Sequence, residues 1–175
     1  MLRPVIIRAA RPEDYAVVGE ITVAAFRSAA PDGQTPAALD PGGHFDEVYA
    51  PSLRDVARRT AHAEVLVAED EGIVVGAVTF VPGGGPYAEF DDTDAVGVRH
   101  LAVDPGAQGR GVGRALMDEC LDRARKDGKR RVVLHTQPFM HAAIELYLRL
   151  GFVRAPERDF RPAPAVDLKG YVLDL

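Results

Sequence analysis

Between Leu101 and Arg114 the chain reads LAVDPGAQGRGVGR. A short apolar run enters a turn on Asp104-Pro105-Gly106, glycines recur at Gly109, Gly111 and Gly113, and a strongly helical sequence begins at once. A glycine-rich turn feeding a helix leaves the first backbone N–H groups without carbonyl partners. Those groups stand at the positive end of the helix dipole, and missing side chains let an anion come close to the backbone. The chemistry this spacing predicts is the holding of a phosphate or pyrophosphate.

Two familiar phosphate loops fail on their own terms. Gly106 and Gly111 have the glycine spacing of G-x-x-x-x-G-K-[ST], but Val112 and Gly113 stand where the lysine and hydroxyl residue belong, so nothing here reaches a γ-phosphate or magnesium. A dinucleotide fingerprint, G-x-G-x-x-G, begun at Gly109 would need its third glycine at Arg114, and begun at Gly111 at Leu116. Lys129 and Arg130 lie where its acidic residue is expected.

Gln108, Gly111 and Gly113 satisfy a third pattern, Q/R-x-x-G-x-G/A. Upstream stands R-H-L-A-V-D-P from Arg99 to Pro105, and downstream A-x-x-L-Y-x-x-L-G-F, with Ala143, Leu146, Tyr147, Leu150, Gly151 and Phe152. Together these resemble the two signatures of the GNAT superfamily, the Gcn5-related N-acetyltransferases. The specific resemblance covers Val96 to Phe152, and residues 1–95 match only in the order of their elements. It implies an α/β (α+β in some schemes) GNAT fold. That fold has a mixed central sheet of about six to seven strands, about four flanking helices and two splayed central parallel strands. It also implies acetyl-CoA as acyl donor. The pantetheine arm would lie along Leu101, Ala102 and Val103, in the gap before Thr136. The pyrophosphate would rest on the N–H groups of Gln108, Gly109, Arg110, Gly111, Val112, Gly113 and Arg114, with the side chains of Arg110 and Arg114 as added charge.

Acetyl transfer from a thioester to an amine needs three things. The amine, with a pKa of about 10.4 for a lysine type, must lose a proton. The tetrahedral oxyanion wants aimed N–H donors. The leaving thiolate must be protonated or stabilised. From pattern alone, a tyrosine between Leu146 and Leu150 reads as a core residue with its hydroxyl at the rim. The resemblance implies more: Tyr147 becomes the general acid, its hydroxyl aimed at the sulfur. Two positions depart from the family. Met140 stands where many relatives carry a cofactor-binding asparagine, and Gly97 at about the place of a glutamate base. The base must therefore be another group, or water. His100, just before the splay, is a candidate. His135 holds the matching place on the next strand, and Glu89, Asp91, Asp92 and Asp94 could act through water or attract a cationic acceptor.

The acceptor implied is a primary amine, on a small molecule or a peptide, acetylated directly in a ternary complex. Alternatives are an acyl-CoA-binding regulatory module without turnover, and an enzyme using a longer acyl-CoA.

The elements that must position these residues follow from pattern. Val5-Ile6-Ile7 suggests a strand within Pro4–Ala10, and Pro12 opens a helix with Glu13 and Asp14 in its first turn. Arg27 to Pro51 is a long Pro/Gly/Ala-rich loop, of the kind that forms lids or binding walls. Ser52 with Asp55 resembles a capping box for a second helix ending near His62. Glu64–Glu69 and Ile73–Val81 form a hairpin around Asp70-Glu71-Gly72. Ala95–Val103 leads into the cradle, and a helix follows to about Asp127, with Val112, Leu116, Cys120 and Ala124 inward and ion pairs Glu119–Arg123 and Asp122–Lys126 outward. Arg131–Thr136 is a parallel strand, Pro138–Leu150 a helix, and Phe152–Arg158 and Asp167–Leu175 two last strands.

The 175 residues, 47% of them hydrophobic, suit one domain spanning 1–175. A net charge of −5 argues against a nucleic-acid surface. The longest apolar run, Ile73 to Val81, is too short for a bilayer, and the N-terminus lacks a signal-peptide pattern, so a cytoplasmic protein is expected. Cys120 is the single cysteine, and the histidines lack metal-ligand spacing, so no disulfide and no metal are expected. The β-rich ending Gly170–Leu175 suggests an edge through which a homodimer could form.

Overall fold

A computed structural model describes residues 5–29, 49–85, 87–163 and 166–175. Most of the expected loop between Arg27 and Pro51 lies outside these residues.

In chain order the elements are β1 (Ile6–Ala9), α1 (Tyr15–Ala29), α2 (Ala50–Arg54), α3 (Val56–Thr60), β2 (Glu64–Asp70), β3 (Ile73–Pro82), β4 (Ala95–Val103), α4 (Val112–Lys126), β5 (Arg131–Thr136), α5 (His141–Arg149), β6 (Val153–Arg154), β7 (Phe160–Ala163) and β8 (Val166–Asp174). The strands make one mixed sheet in the order β1-β2-β3-β4-β5-β8-β6, with β7 also on β8. Only β4 and β5 run parallel; α4 is their crossover. The hairpin β2–β3 turns on Glu71 and Gly72, both at positive φ (51° and 82°), the conformation its twist demands.

Several expectations shift. The sheet described has eight strands rather than six or seven, because the C-terminal stretch expected as two strands forms three. The second helix is two five-residue pieces: Asp55 leaves the helical conformation and its carboxylate accepts from Arg58 N at 3.1 Å, so it caps α3. Ser52 instead donates to Tyr49 O. On α4, Glu119 pairs with Arg123 as expected (2.7 Å), but Asp122 pairs with Arg125 rather than Lys126. Strand β8 is no free edge: β5 flanks it on one side and β6 and β7 pair with it as well.

Helix α4 holds the main core. Val112, Leu116, Cys120 and Ala124 recur at helical spacing and pack with Val96, Val98, Val132 and Leu134 of the central strands. Leu116 is wholly buried, and its truncation to alanine would cost about 2–5 kcal/mol. Burial pushes the Cys120 thiol up to about 12, which makes it an inert core group. On the other face, α1 and α3 cover Val65, Val67 and Ala77 through Val18, Ile21 and Val56. Among the described residues no helix is long and apolar enough to cross a membrane.

Candidate active site

Two irregularities in β4 create the site. The parallel pairing with β5 runs from Ala95↔Arg131 to Val98↔Leu134 and stops there, although both strands continue. On the other edge, Thr79 pairs with Arg99 and Ala77 with Ala102, so three steps on β4 match two on β3. The extra residue is a bulge, and His100 within it sits at φ 52°, a conformation non-glycine residues adopt at a cost.

The bulge inverts the alternation of the strand. Before it, Val96 and Val98 face α4; after it, Leu101 and Val103 do, while Ala102 packs against the α1 side. Leu101 and Val103 thus open into a pocket of about 680 Å³ on the side of α4 and α5. Gln108, Gly109, Gly111, Val112, Gly113 and Arg114 line it as well, with Phe139, Met140, His141 and Arg149 around α5 and Ala25 and Ser28 from α1.

Gly109 and Gly111 lie at φ 74° and 82°, and nothing stands within 4 Å of where their side chains would be. What demands glycine there is the left-handed turn itself. In α4, Ala115 N–H is the first to bond back, to Gly111 O at 3.0 Å. The amides of Val112, Gly113 and Arg114 are therefore the free N-terminal donors of the helix, directed at the pocket mouth. The two arginine side chains are engaged within the chain. Arg110 pairs with Asp70 across the surface, and Arg114 with Asp118 at 3.0 Å. This lining fits an acyl-CoA: amide donors for a diphosphate at one end, and the apolar Leu101, Val103 and Leu146 for a thin acyl arm.

Tyr147 is 6% exposed and does not line the pocket; its neighbour Leu146 does. Its ring packs 5.9 Å from Phe152, and burial, then Cys120, pushes the phenol well up from its ordinary value. It stays protonated at neutral pH. His100 lies beyond the pocket lining too, with a buried Nδ1 that has no partner. Burial first, then Arg59 and Arg99, holds its pKa well below the ordinary value, so the ring is neutral at pH 7.

The opposite face of the sheet carries a polar row at the same level. Arg99 and His135 are the first residues past the last parallel pair, and Glu89 bridges them. Its carboxylate meets Arg99 Nη2 at 3.0 Å and His135 Nδ1 at 3.1 Å. His135 Nε2 lies 3.0 Å from Arg158 O, and its ring packs edge-on to Phe160. Arg99 donates to Tyr87 O and sits 4.8 Å over the Tyr87 ring. On the next strand, Thr79 receives the buried Arg59 of α3. Gly97 belongs to this face: a side chain there would start 3.1 Å from the Phe90 ring, so an aromatic edge holds the place where a carboxylate would otherwise stand. Asp92 lies near Arg131 (3.6 Å) and Arg158 (3.9 Å). Glu89 and Asp92 are thus engaged by cations of the chain itself, which removes much of the expected pull on a cationic acceptor.

Of the cofactor-binding and catalytic residues singled out in the sequence, Leu101, Val103, Gln108, Gly109, Gly111, Val112, Gly113 and Arg114 come together in one pocket, whereas Ala102, Arg110, Tyr147 and His100 lie outside its lining. Sequence reasoning missed Arg59 and Gln137. Gln137 follows β5 directly and is 5% exposed, with Oε1 buried and unpartnered. A buried polar residue at the end of an apolar strand was its only signal.

Known proteins share this fold. The sequence profile described as the Acetyltransferase (GNAT) family matches residues 24–152. The chain is 35% identical over 97 residues to the L-amino acid N-acyltransferase MnaT of Escherichia coli (strain K12), covering 55% of this chain and 54% of that protein. It is 34% identical over 96 residues to the L-methionine sulfoximine/L-methionine sulfone acetyltransferase of Salmonella typhimurium, with 55% and 54% covered. The chain thus spans about half the length of these relatives. Among solved structures, yncA of Salmonella typhimurium, bound to its cofactor acetyl-CoA, superposes with a TM-score of 0.63 at 28% identity over 99% of this chain and 95% of that one.

Proposed function

Because the chain belongs to the GNAT family of acetyltransferases, we propose that it moves the acetyl group of acetyl-CoA to a primary amine, directly and within a ternary complex. One observation carries this reading: the free amides at the start of α4 open into the same pocket as the unpaired end of β4. When bound, acetyl-CoA supplies a thioester whose carbon forms the new C–N bond as the C–S bond breaks.

The chain's own residues supply the rest. Val112, Gly113 and Arg114 hold the diphosphate through backbone N–H groups. Beyond Val98 the backbone of β4 has no partner strand on the β5 side, so Leu101 and Val103 offer groups to pair with an amide-bearing arm. Tyr147 donates its hydroxyl proton to the leaving thiolate; burial makes the phenol a weaker acid than usual, so the proton moves only as the thiolate leaves. His100, neutral at pH 7, takes the amine proton directly or through water.

Calorimetric titration with acetyl-CoA, beside Gly111→Glu/Gly113→Glu, tests the cofactor, and a panel of amines then tests turnover. Micromolar binding lost in the double variant supports the reading. Absence of binding to acetyl-CoA and longer acyl-CoAs by a folded protein refutes it. A second reading, an acyl-CoA-binding module without turnover, draws on the absence of Tyr147 from the pocket lining. Binding with no acetyl-CoA consumed across the panel would favour it.

A further inference from the structure

The polar row opposite the pocket holds more positive charge than negative. Arg59 is 1% exposed, yet its guanidinium meets only neutral oxygens, Leu53 O at 2.7 Å and Thr79 Oγ1 at 3.4 Å; its Nε is buried without a partner. Among the described residues no carboxylate pairs with it. An arginine keeps its charge even when buried, and a buried charge without a counterion is costly.

One strand over, Arg99 is 29% exposed and shares a single carboxylate, Glu89, with His135. Its Nη1 is on Tyr87 O and its Nη2 on Glu89, which leaves its Nε–H uncommitted among the described residues. Both nitrogens of His135 are turned to oxygens of the chain, Glu89 Oε2 and Arg158 O, and neither to a guanidinium. His100 Nδ1, close enough to feel both arginines, is the second buried polar atom here with no partner. Two guanidiniums, one shared carboxylate and two orphaned polar atoms thus crowd the α1/α3 side of the sheet. Thr79 and Arg99 are register partners, and Arg99 and His135 follow the last parallel pair, so the row crosses three strands at the level where β4 and β5 part.

We propose that this row binds an anionic group of the acceptor, a carboxylate or an oxyanion of similar size, and that the acceptor is therefore an amino-acid-like amine rather than a polyamine. The inference rests on the acetyltransferase reading above and specifies its second substrate. An anion at Arg99 would complete the charge that Arg59 leaves unbalanced. In an α-amino acid the amine is two bonds from the carboxylate carbon, so holding the carboxylate at the strand fork presents the amine to the gap between the strands. The charge of Arg59 acts through the buried, low-dielectric layer between the two guanidiniums, where it is weakly screened.

The test is a matched series of acceptors, L-methionine, L-methioninamide and spermidine, with acetyl-CoA, across about pH 7 to 9.5 so that each amine's own ionisation is separated out. The expected result is a kcat/KM for L-methionine at least about tenfold above the amide and the polyamine, the size of a hydrogen-bonded charge contact. Arg99→Gln should erase that preference, and Arg59→Met should weaken it through the acceptor KM. Equal or better use of the amide and spermidine by the wild type overturns the proposal, as does a preference that survives Arg99→Gln. If acetyl-CoA binds but none of the three is acetylated, L-methionine is titrated calorimetrically into the CoA-loaded protein. Binding lost in Arg99→Gln supports the row as an anion site, and no binding overturns it. If acetyl-CoA itself fails to bind, the acetyltransferase reading falls separately, and the same titration into the free protein judges the row.

Discussion

The two sides of β4 past Val98 solve the same problem by different means. Toward α4, an anion is met by backbone: free amides at a helix start, glycines at φ 74° and 82°, and arginines whose side chains are tied to Asp70 and Asp118. Toward α3, it would be met by side chains, Arg59 and Arg99, drawn from two elements and set by the register of the sheet. A backbone site depends on conformation and tolerates changes in the identity of neighbouring side chains. A side-chain site depends on each residue and on the charge of the others.

Four variants would break or sharpen that contrast. The largest effect is expected on the backbone side. Gly111→Glu/Gly113→Glu places two carboxylates at the helix start and one of them at a left-handed φ, so acetyl-CoA affinity should fall by at least about a hundredfold in calorimetry. Survival of micromolar binding would mean that the cradle is not the anion site. Next, Tyr147→Phe should lower kcat by about a hundredfold with acetyl-CoA affinity retained, the usual scale for a lost proton donor. An unchanged kcat on an acetylated acceptor would remove the tyrosine from the chemistry and leave it a core residue.

His100 gives a smaller effect with a definite sign. Its folded pKa lies below that of the unfolded chain, near 6.5, so the unfolded state binds the proton more readily. Its share of stability is complete above about pH 6.5 and is lost as pH falls below that value. Urea midpoints between about pH 7 and 5 should therefore drop less in His100→Gln than in the wild type, and parallel profiles would contradict the burial of this ring. The smallest change is expected from Arg110→Ala. Its side chain is 43% exposed and paired with Asp70, so acetyl-CoA binding should weaken by no more than about fivefold. A much larger loss would shift weight from the backbone to the arginine.

The same contrast explains what could be read in advance. Gly109, Gly111 and Gly113 encode a turn and a helix start within a few residues, a wholly local signal, so that geometry was legible. The strands Ala95–Val103 and Arg131–Thr136 were legible from apolar runs with clear ends. The row of Arg59, Thr79, Arg99, Glu89 and His135 was not. Glu89 and His135 are 46 positions apart, and they meet only because the loop before β4 folds back over the level where β4 and β5 part, which no local pattern encodes. Asp55 was misread because one acidic residue can serve a cap three residues ahead as readily as a box begun three behind. The C-terminal strand looked like an edge because β-rich composition says nothing about what lies on either side of it.

The one-residue bulge at His100 makes the strand behave like a reading frame. Loss of His100 itself would close that frame: Arg99 would run straight into Leu101, and Val98, Leu101 and Val103 would alternate regularly toward α4, with only the kink gone. Loss of Ala102 would break it, turning Val103 away from α4 and bringing the chain to the glycine turn facing the wrong way.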